Sequence, residues 1–135
     1  MTDIIKPTLN FTILCDDVRQ EAGEKLSLMG LFENIYAQRF PALHPRLAVI
    51  TEWADGKGEF DTTMRLLSPD RKSVLRETSS RMKLGGVVVR HRDVSVHLNL
   101  EFKEPGTYWI ENFLDNERIN SIPLKVIQIK EQSTH

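Results

Sequence analysis

From Asp93 to Phe102 the chain reads DVSVHLNLEF, with Val94, Val96, Leu98, Leu100 and Phe102 at every second position and Asp93, Ser95, His97, Asn99 and Glu101 between them. Side chains along a strand alternate between its two faces, so a period of two sustained this long demands an extended segment with one buried and one solvated face. No helix satisfies that pattern.

The same grammar recurs in shorter runs. Leu9, Phe11 and Ile13 share one face of a first strand, and KLSLMGLFENIYA reads as a second strand, bent or bulged near Gly30 and ended by Pro41 and Pro45. Between them DDVRQEAGEK is polar and contains Gly23, so it reads as a connection with at most one helical turn. Leu47, Val49, Thr51 and Trp53 share a face, as do Phe60, Thr62, Met64 and Leu66. With turn chemistry at Asp55-Gly56 and Ser68-Pro69-Asp70, residues 47–75 read as a three-stranded meander. Residues 71–86 leave a strand plus loop and a short helix both open, and Gly85-Gly86 closes them.

Glu104-Pro105-Gly106 turns the alternating strand into Tyr108 and Ile110. The polar LDNER then precedes a last strand through Leu124, Val126 and Ile129, where Pro123 implies a sheet edge because proline cannot donate to a ladder. The final EQSTH, from about residue 131, is expected to fray.

About eight short strands with frequent turns and no helical period predict an all-β fold, two antiparallel sheets packed as a sandwich. A partly open barrel is the alternative. A chain of 135 residues buries one core and not two, so residues 1–135 form one expected domain. The N-terminus lacks the basic start and apolar run of a secretory signal, no apolar stretch is long enough to span a membrane, and the single Cys15 makes no internal disulfide. A cytoplasmic location and no membrane association are expected.

No residue is assigned a catalytic, cofactor or metal role. His91 and His97 lie about 20 Å apart along a regular strand, too far to share an ion. His91 and Asp93 share a face, but need ligands from other segments. Asp16 and Asp17 oppose thiolate formation at Cys15, and with Glu21 and Glu24 they lack the spacing of a calcium loop. DGKG around Gly56 and Gly58 is explained by a turn rather than by phosphate binding. Trp53 and Trp109 are expected to be buried anchors.

The formal net charge is -1, so global charge attracts neither nucleic acid nor an anionic membrane. Locally the balance differs. Arg65, Arg71, Lys72, Arg76, Arg81, Lys83, Arg90 and Arg92 face only Asp70 and Glu77 between residues 65 and 92, giving a candidate contact for a polyanion or an acidic partner. Residues 61–101 contain no Phe, Tyr or Trp on which bases would stack, which disfavours the nucleic-acid version. Scattered or internally paired charges are the plainer expectation.

The segments CDDVRQEAGEKLSLMGLFENIYAQRFP, EFDTTMRLLSPD and EPGTYWIENFLDNERINSIPLKV span most of the chain and resemble a small bacterial family, an uncharacterised domain of unknown function. The last segment is similar to the closing hairpin of many immunoglobulin-like sandwiches. The resemblance implies a bacterial, cytoplasmic, immunoglobulin-like β-sandwich and carries no activity, cofactor or catalytic residue. The function expected is a noncatalytic protein-binding or scaffold module that engages a partner or a second copy through loops or a sheet edge. Polyanion binding through residues 65–92 stands second, and an unrecognised metal-dependent enzyme last.

Overall fold

The computed structural model describes residues 3–130, which form nine strands. They are β1 (Thr8–Glu21), β2 (Lys25–Leu31), β3 (Asn34–Ala37), β4 (Ala42–Ala54), β5 (Lys57–Leu67), β6 (Val74–Gly85), β7 (Arg90–Phe102), β8 (Gly106–Leu114) and β9 (Glu117–Gln128). Two sheets, ordered β2-β1-β4-β7 and β3-β9-β8-β5-β6, pack face to face, so the predicted all-β sandwich is correct. Every ladder is antiparallel except the short β3–β9 pair. The expected tail from residue 131 lies outside the described residues.

Several local readings need correction. Residues 16–21 are not a connection but the continuation of β1, where Val18, Arg19, Gln20 and Glu21 pair with Leu28, Ser27, Leu26 and Lys25. The β1 side of this part of the hairpin has mostly exposed side chains, so its sequence carries little apolar alternation. KLSLMGLFENIYA is two strands in different sheets rather than one. Gly30 does mark the bend: its φ is 70°, and a Cβ there would collide with the Asp16 carboxylate. Pro45 lies inside β4 and does not end the preceding strand.

The meander over residues 47–75 is also incorrect. Ala54 and Lys57 belong to opposite sheets, so Asp55-Gly56 is a crossing and not a hairpin. Gly56 fits because a Cβ would lie 2.8 Å from Pro7 and from Leu84. The true hairpin joins β5 to β6, which settles residues 74–85 as strand. Glu104-Pro105-Gly106 makes another crossing, where the Tyr108 hydroxyl donates to the Glu104 carbonyl at 2.7 Å. Strand β9 is flanked by β8 and β3 rather than being an edge, but β3 pairs only residues 125–128. Pro123 therefore sits where no β3 neighbour asks for its missing N–H.

The alternating segment is a strand, β7, whose N-terminal half is turned over relative to expectation. His97 and Leu100 are both buried though three residues apart, and Asn99 between them has a φ of 54°. Before this irregularity Val94, Val96 and Leu98 face solvent at 42%, 42% and 54% exposure, while Asp93 and Ser95 face between the sheets. Only Leu100 and Phe102 join the core as expected.

Candidate functional site

The space between the sheets holds two apolar clusters with a polar level between them. Leu47, Val49, Met64, Leu66, Tyr108 and Ile110 belong to the larger cluster, and Trp53, Phe60, Met82, Leu84 and Leu114 form the smaller. Along β4 the order is Leu47, Val49, Thr51, Trp53; along β5 it is Phe60, Thr62, Met64, Leu66; along β8 it is Tyr108, Ile110, Asn112, Leu114. Each strand therefore interrupts its buried face once. Ladder pairs Thr12–Thr51, Thr51–Asp93, Thr62–Ser80 and Asn112–Asn120 carry the interruption from strand to strand.

These groups join the sheets by hydrogen bonds. The Thr51 hydroxyl donates to Asn112 Oδ1 at 3.3 Å, and Asn112 Nδ2 donates to Thr12 Oγ1 and Asn120 Oδ1, each at 2.9 Å. On the opposite flank Thr62 Oγ1 donates to Asp93 Oδ2 at 2.9 Å, Ser80 Oγ donates to Oδ1 at 3.1 Å, and His91 Nε2 lies 2.8 Å from Oδ1. Between the flanks is a cavity of about 190 Å³ bordered by Thr51, Thr62, Ser80, Asp93, Ser95 and Asn112. Trp53 also lines it. Its side chain is 1% exposed, and Nε1 has no hydrogen-bond acceptor among the described residues.

His91 and Asp93 do come together, but the carboxylate's other partners are hydroxyls. Among the described residues no three His, Cys, Asp or Glu side chains gather around one point. His97 lies apart from His91, with Nε2 3.0 Å from Ser95 Oγ. Burial, reinforced by Arg76, lowers the His97 pKa below its ordinary value. Cys15 is buried, and that burial, reinforced by Asp16 and Asp17, pushes the thiol pKa up despite a hydrogen bond to the Asp17 carbonyl. Asp17 itself is held by Arg46 at 2.8 Å.

The basic residues of segment 65–92 are largely engaged within the molecule. Arg65 binds Glu77 at 2.9 Å and covers the Phe113 ring; Arg81 binds Glu59 and Asp61, each at 3.0 Å. Arg71 stacks 4.1 Å from the Trp109 ring centre and reaches the buried Glu111, so Trp109 is a half-covered stacking surface. Arg92 reaches the buried Glu52 at 3.1 Å, and this carboxyl is held below its ordinary pKa, first by Asn10 and then by Arg92. Lys72, Lys83 and Arg90 make no direct ion pair among the described residues.

Arg76 has a different task. Its guanidinium donates to the Leu98 and Asn99 carbonyls of β7 at 3.2 and 3.4 Å, capping part of that strand's outer edge. The other three edges differ in protection. Strand β6 carries Arg76, Glu77, Arg81 and Lys83, and β3 has only four residues. Strand β2, KLSLMGL, is seven residues long with one charge at its end, and Leu31 is 62% exposed. Charges and shortness protect an edge against further pairing, and β2 has neither along its middle.

The chain belongs to a family of unknown function (DUF6941), whose model matches residues 10–127 and so takes in all the strands but the outer ends of β1 and β9. No curated protein matches the chain.

Proposed function

We propose that the protein is a noncatalytic protein-binding module whose β2 edge accepts an extended strand, supplied by a second copy of the chain. The observation that carries this reading is the contrast among the four described sheet edges: β3 is short, β6 carries charges along its length, β7 lies beside β6 and is partly capped by Arg76, and β2 has an uncharged middle with none of these protections. Strand addition satisfies main-chain donors and acceptors along the edge, while side chains set the register.

A second copy supplies a compatible strand. Antiparallel pairing of two β2 strands about Leu28 places Lys25 opposite Leu31 of the other copy, and Leu26 opposite Gly30, so no like charges meet. The paired strands would extend each four-stranded sheet into one of eight. The immunoglobulin-like kinship proposed from sequence is supported by the Tyr108 corner and by the parallel β3–β9 pair, although neither identifies an activity. Internal pairing of Arg65, Arg71, Arg81 and Arg92 weighs against the polyanion reading.

The test uses the exposed Leu31. Measured by sedimentation over a range of concentrations, the wild-type protein is expected to dimerise, and Leu31→Lys, which sets two lysines opposite each other, to remain monomeric. Leu31→Glu should restore the dimer by facing Lys25. A wild-type monomer throughout, or a dimer indifferent to both changes, would overturn the proposal.

A further inference from the structure

The turn between β6 and β7 reads Gly86-Val87-Val88-Val89, and it presents to solvent side chains that a fold ordinarily covers. Val87 is 71% exposed and Val88 89%. Val88 also has a φ of 59°, in the left-handed region where a β-branched residue is rare. The turn is held in this form from its base: the Val88 N–H donates to Asp55 Oδ1 at 2.9 Å, and the Asp55 N–H donates to the Val89 carbonyl at 3.1 Å. A Cβ added at Gly85 or Gly86 would meet nothing within 4 Å, so the turn stands clear of the body. Exposure and strain both count against stability, and apolar residues held this way at a surface point to a use there.

The surroundings narrow that use. Gly85 pairs with Lys57, and Lys57 is bridged on its other side to Ile5, so the exposed Ile4 and Ile5 lie at the same end of the molecule. Lys83 points outward from β6, because Met82 and Leu84 on either side of it are buried between the sheets. Neither Lys57 nor Lys83 makes an ion pair among the described residues, and the acids around them are largely engaged. Asp55 holds the turn, Glu59 binds Arg81 and Glu117 binds Lys6, which leaves Asp3. Arg90, on the β7 side of the turn, borders a groove with Glu21, Glu24 and Lys25, so the unbalanced cations are the two lysines.

A pocket in a protein partner would accept the valines but has no need of lysines beside them, and such interfaces draw most of their affinity from Trp, Tyr and Arg anchors. An anionic bilayer meets both features. Valines fit the boundary between headgroups and acyl chains, and lysines lay their stems along the apolar surface with the ammonium among the headgroups. The net charge of -1, from which no membrane association is expected, averages over the whole molecule. A bilayer meets only the end presented to it, because charges beyond about 10 Å are screened.

We infer that the β6–β7 turn docks the protein reversibly on an anionic bilayer surface, with Val87 and Val88 entering the headgroup boundary and Lys57 and Lys83 among the headgroups. This attachment is separate from strand addition at β2. The experiment is flotation of the full chain with vesicles of two parts phosphatidylcholine to one part phosphatidylglycerol, beside vesicles of phosphatidylcholine alone. The wild type should float with the mixed vesicles, far less with the neutral ones, and less again at high salt. Lys57→Gln and Lys83→Gln should each weaken binding about fivefold, and Val87→Ser combined with Val88→Ser about tenfold or more. The serine variant should keep the wild-type urea midpoint, since the valines it replaces are exposed.

No flotation of the wild type with mixed vesicles would overturn the inference, and a protein captured through the valines in that case would assign the turn to a protein pocket. Flotation that the serine variant retains would overturn it as well. Equal flotation with both kinds of vesicle would overturn the part given to the lysines and to anionic lipid. The wild-type series decides the first and last outcomes even if a substituted protein fails to fold.

Discussion

His97 shows how one side chain's environment becomes a property of the whole protein. It is buried beside Ser95 and near Arg76, and both burial and the guanidinium disfavour its charged form. The folded state therefore takes up this proton at a lower pH than the unfolded chain, whose histidine titrates near pH 6.5. The stabilising contribution is complete above that pH and is lost as pH falls towards the folded pKa, with a slope of at most about 1.4 kcal/mol per pH unit for one proton. Urea denaturation across pH 7 to 5 should show the loss in the wild type and a smaller one in His97→Gln. Equal losses would contradict this account of His97.

Part of the candidate cavity was legible at the same scale. Thr51 beside Trp53, and Thr62 beside Met64, stand on apolar faces in the sequence, which already places two hydroxyls towards the core. Asp93 and Ser95 were not legible as interior groups. Their side of the strand depends on the irregularity at Asn99, and a residue with positive φ leaves no mark on a pattern of alternating polarity.

At the scale of elements, the sequence identifies strands well when one face meets the core and poorly when neither does. Strands β4, β5 and β8 carry the expected buried positions, whereas the outer end of β1 is largely polar because most of its side chains are exposed. Sheet membership was hidden for another reason. Asp55-Gly56 and Glu104-Pro105-Gly106 have the composition of hairpin turns, yet the strands they join find their hydrogen-bond partners in opposite sheets.

Gly30 connects local geometry to the proposed edge. Its left-handed backbone and the close approach of Asp16 set the bend at the end of β2. Gly30→Ala should cost about 1–2 kcal/mol, the ordinary penalty for placing an L-residue there, because the Asp16 side chain can rotate away from the new methyl. Gly30→Asn should cost less, since asparagine tolerates this conformation better. Urea midpoints at unchanged slope would measure both; an alanine variant as stable as wild type would contradict the role assigned to Gly30.

Across the whole molecule, charged and apolar groups divide the labour in a way composition does not show. Part of the excess of cations between residues 65 and 92 is absorbed by acids elsewhere in the chain, Arg71, Arg81 and Arg92 meeting Glu111, Glu59, Asp61 and Glu52, which only folding brings near. Strand β2 remains as a long edge with a single terminal charge, while Arg76 caps part of β7 and charges line β6. The proposed function follows from that inequality among edges. Family membership over residues 10–127 is compatible with it and supplies no activity of its own.

Amide hydrogen exchange along residues 25–31, followed as protein concentration rises, tests the β2 proposal most directly. Strand addition predicts that exchange slows at the outward-facing N–H groups of β2 while the edges of β3 and β6 are unchanged. Exchange in β2 that is independent of concentration, or protection arising at another edge instead, would contradict it.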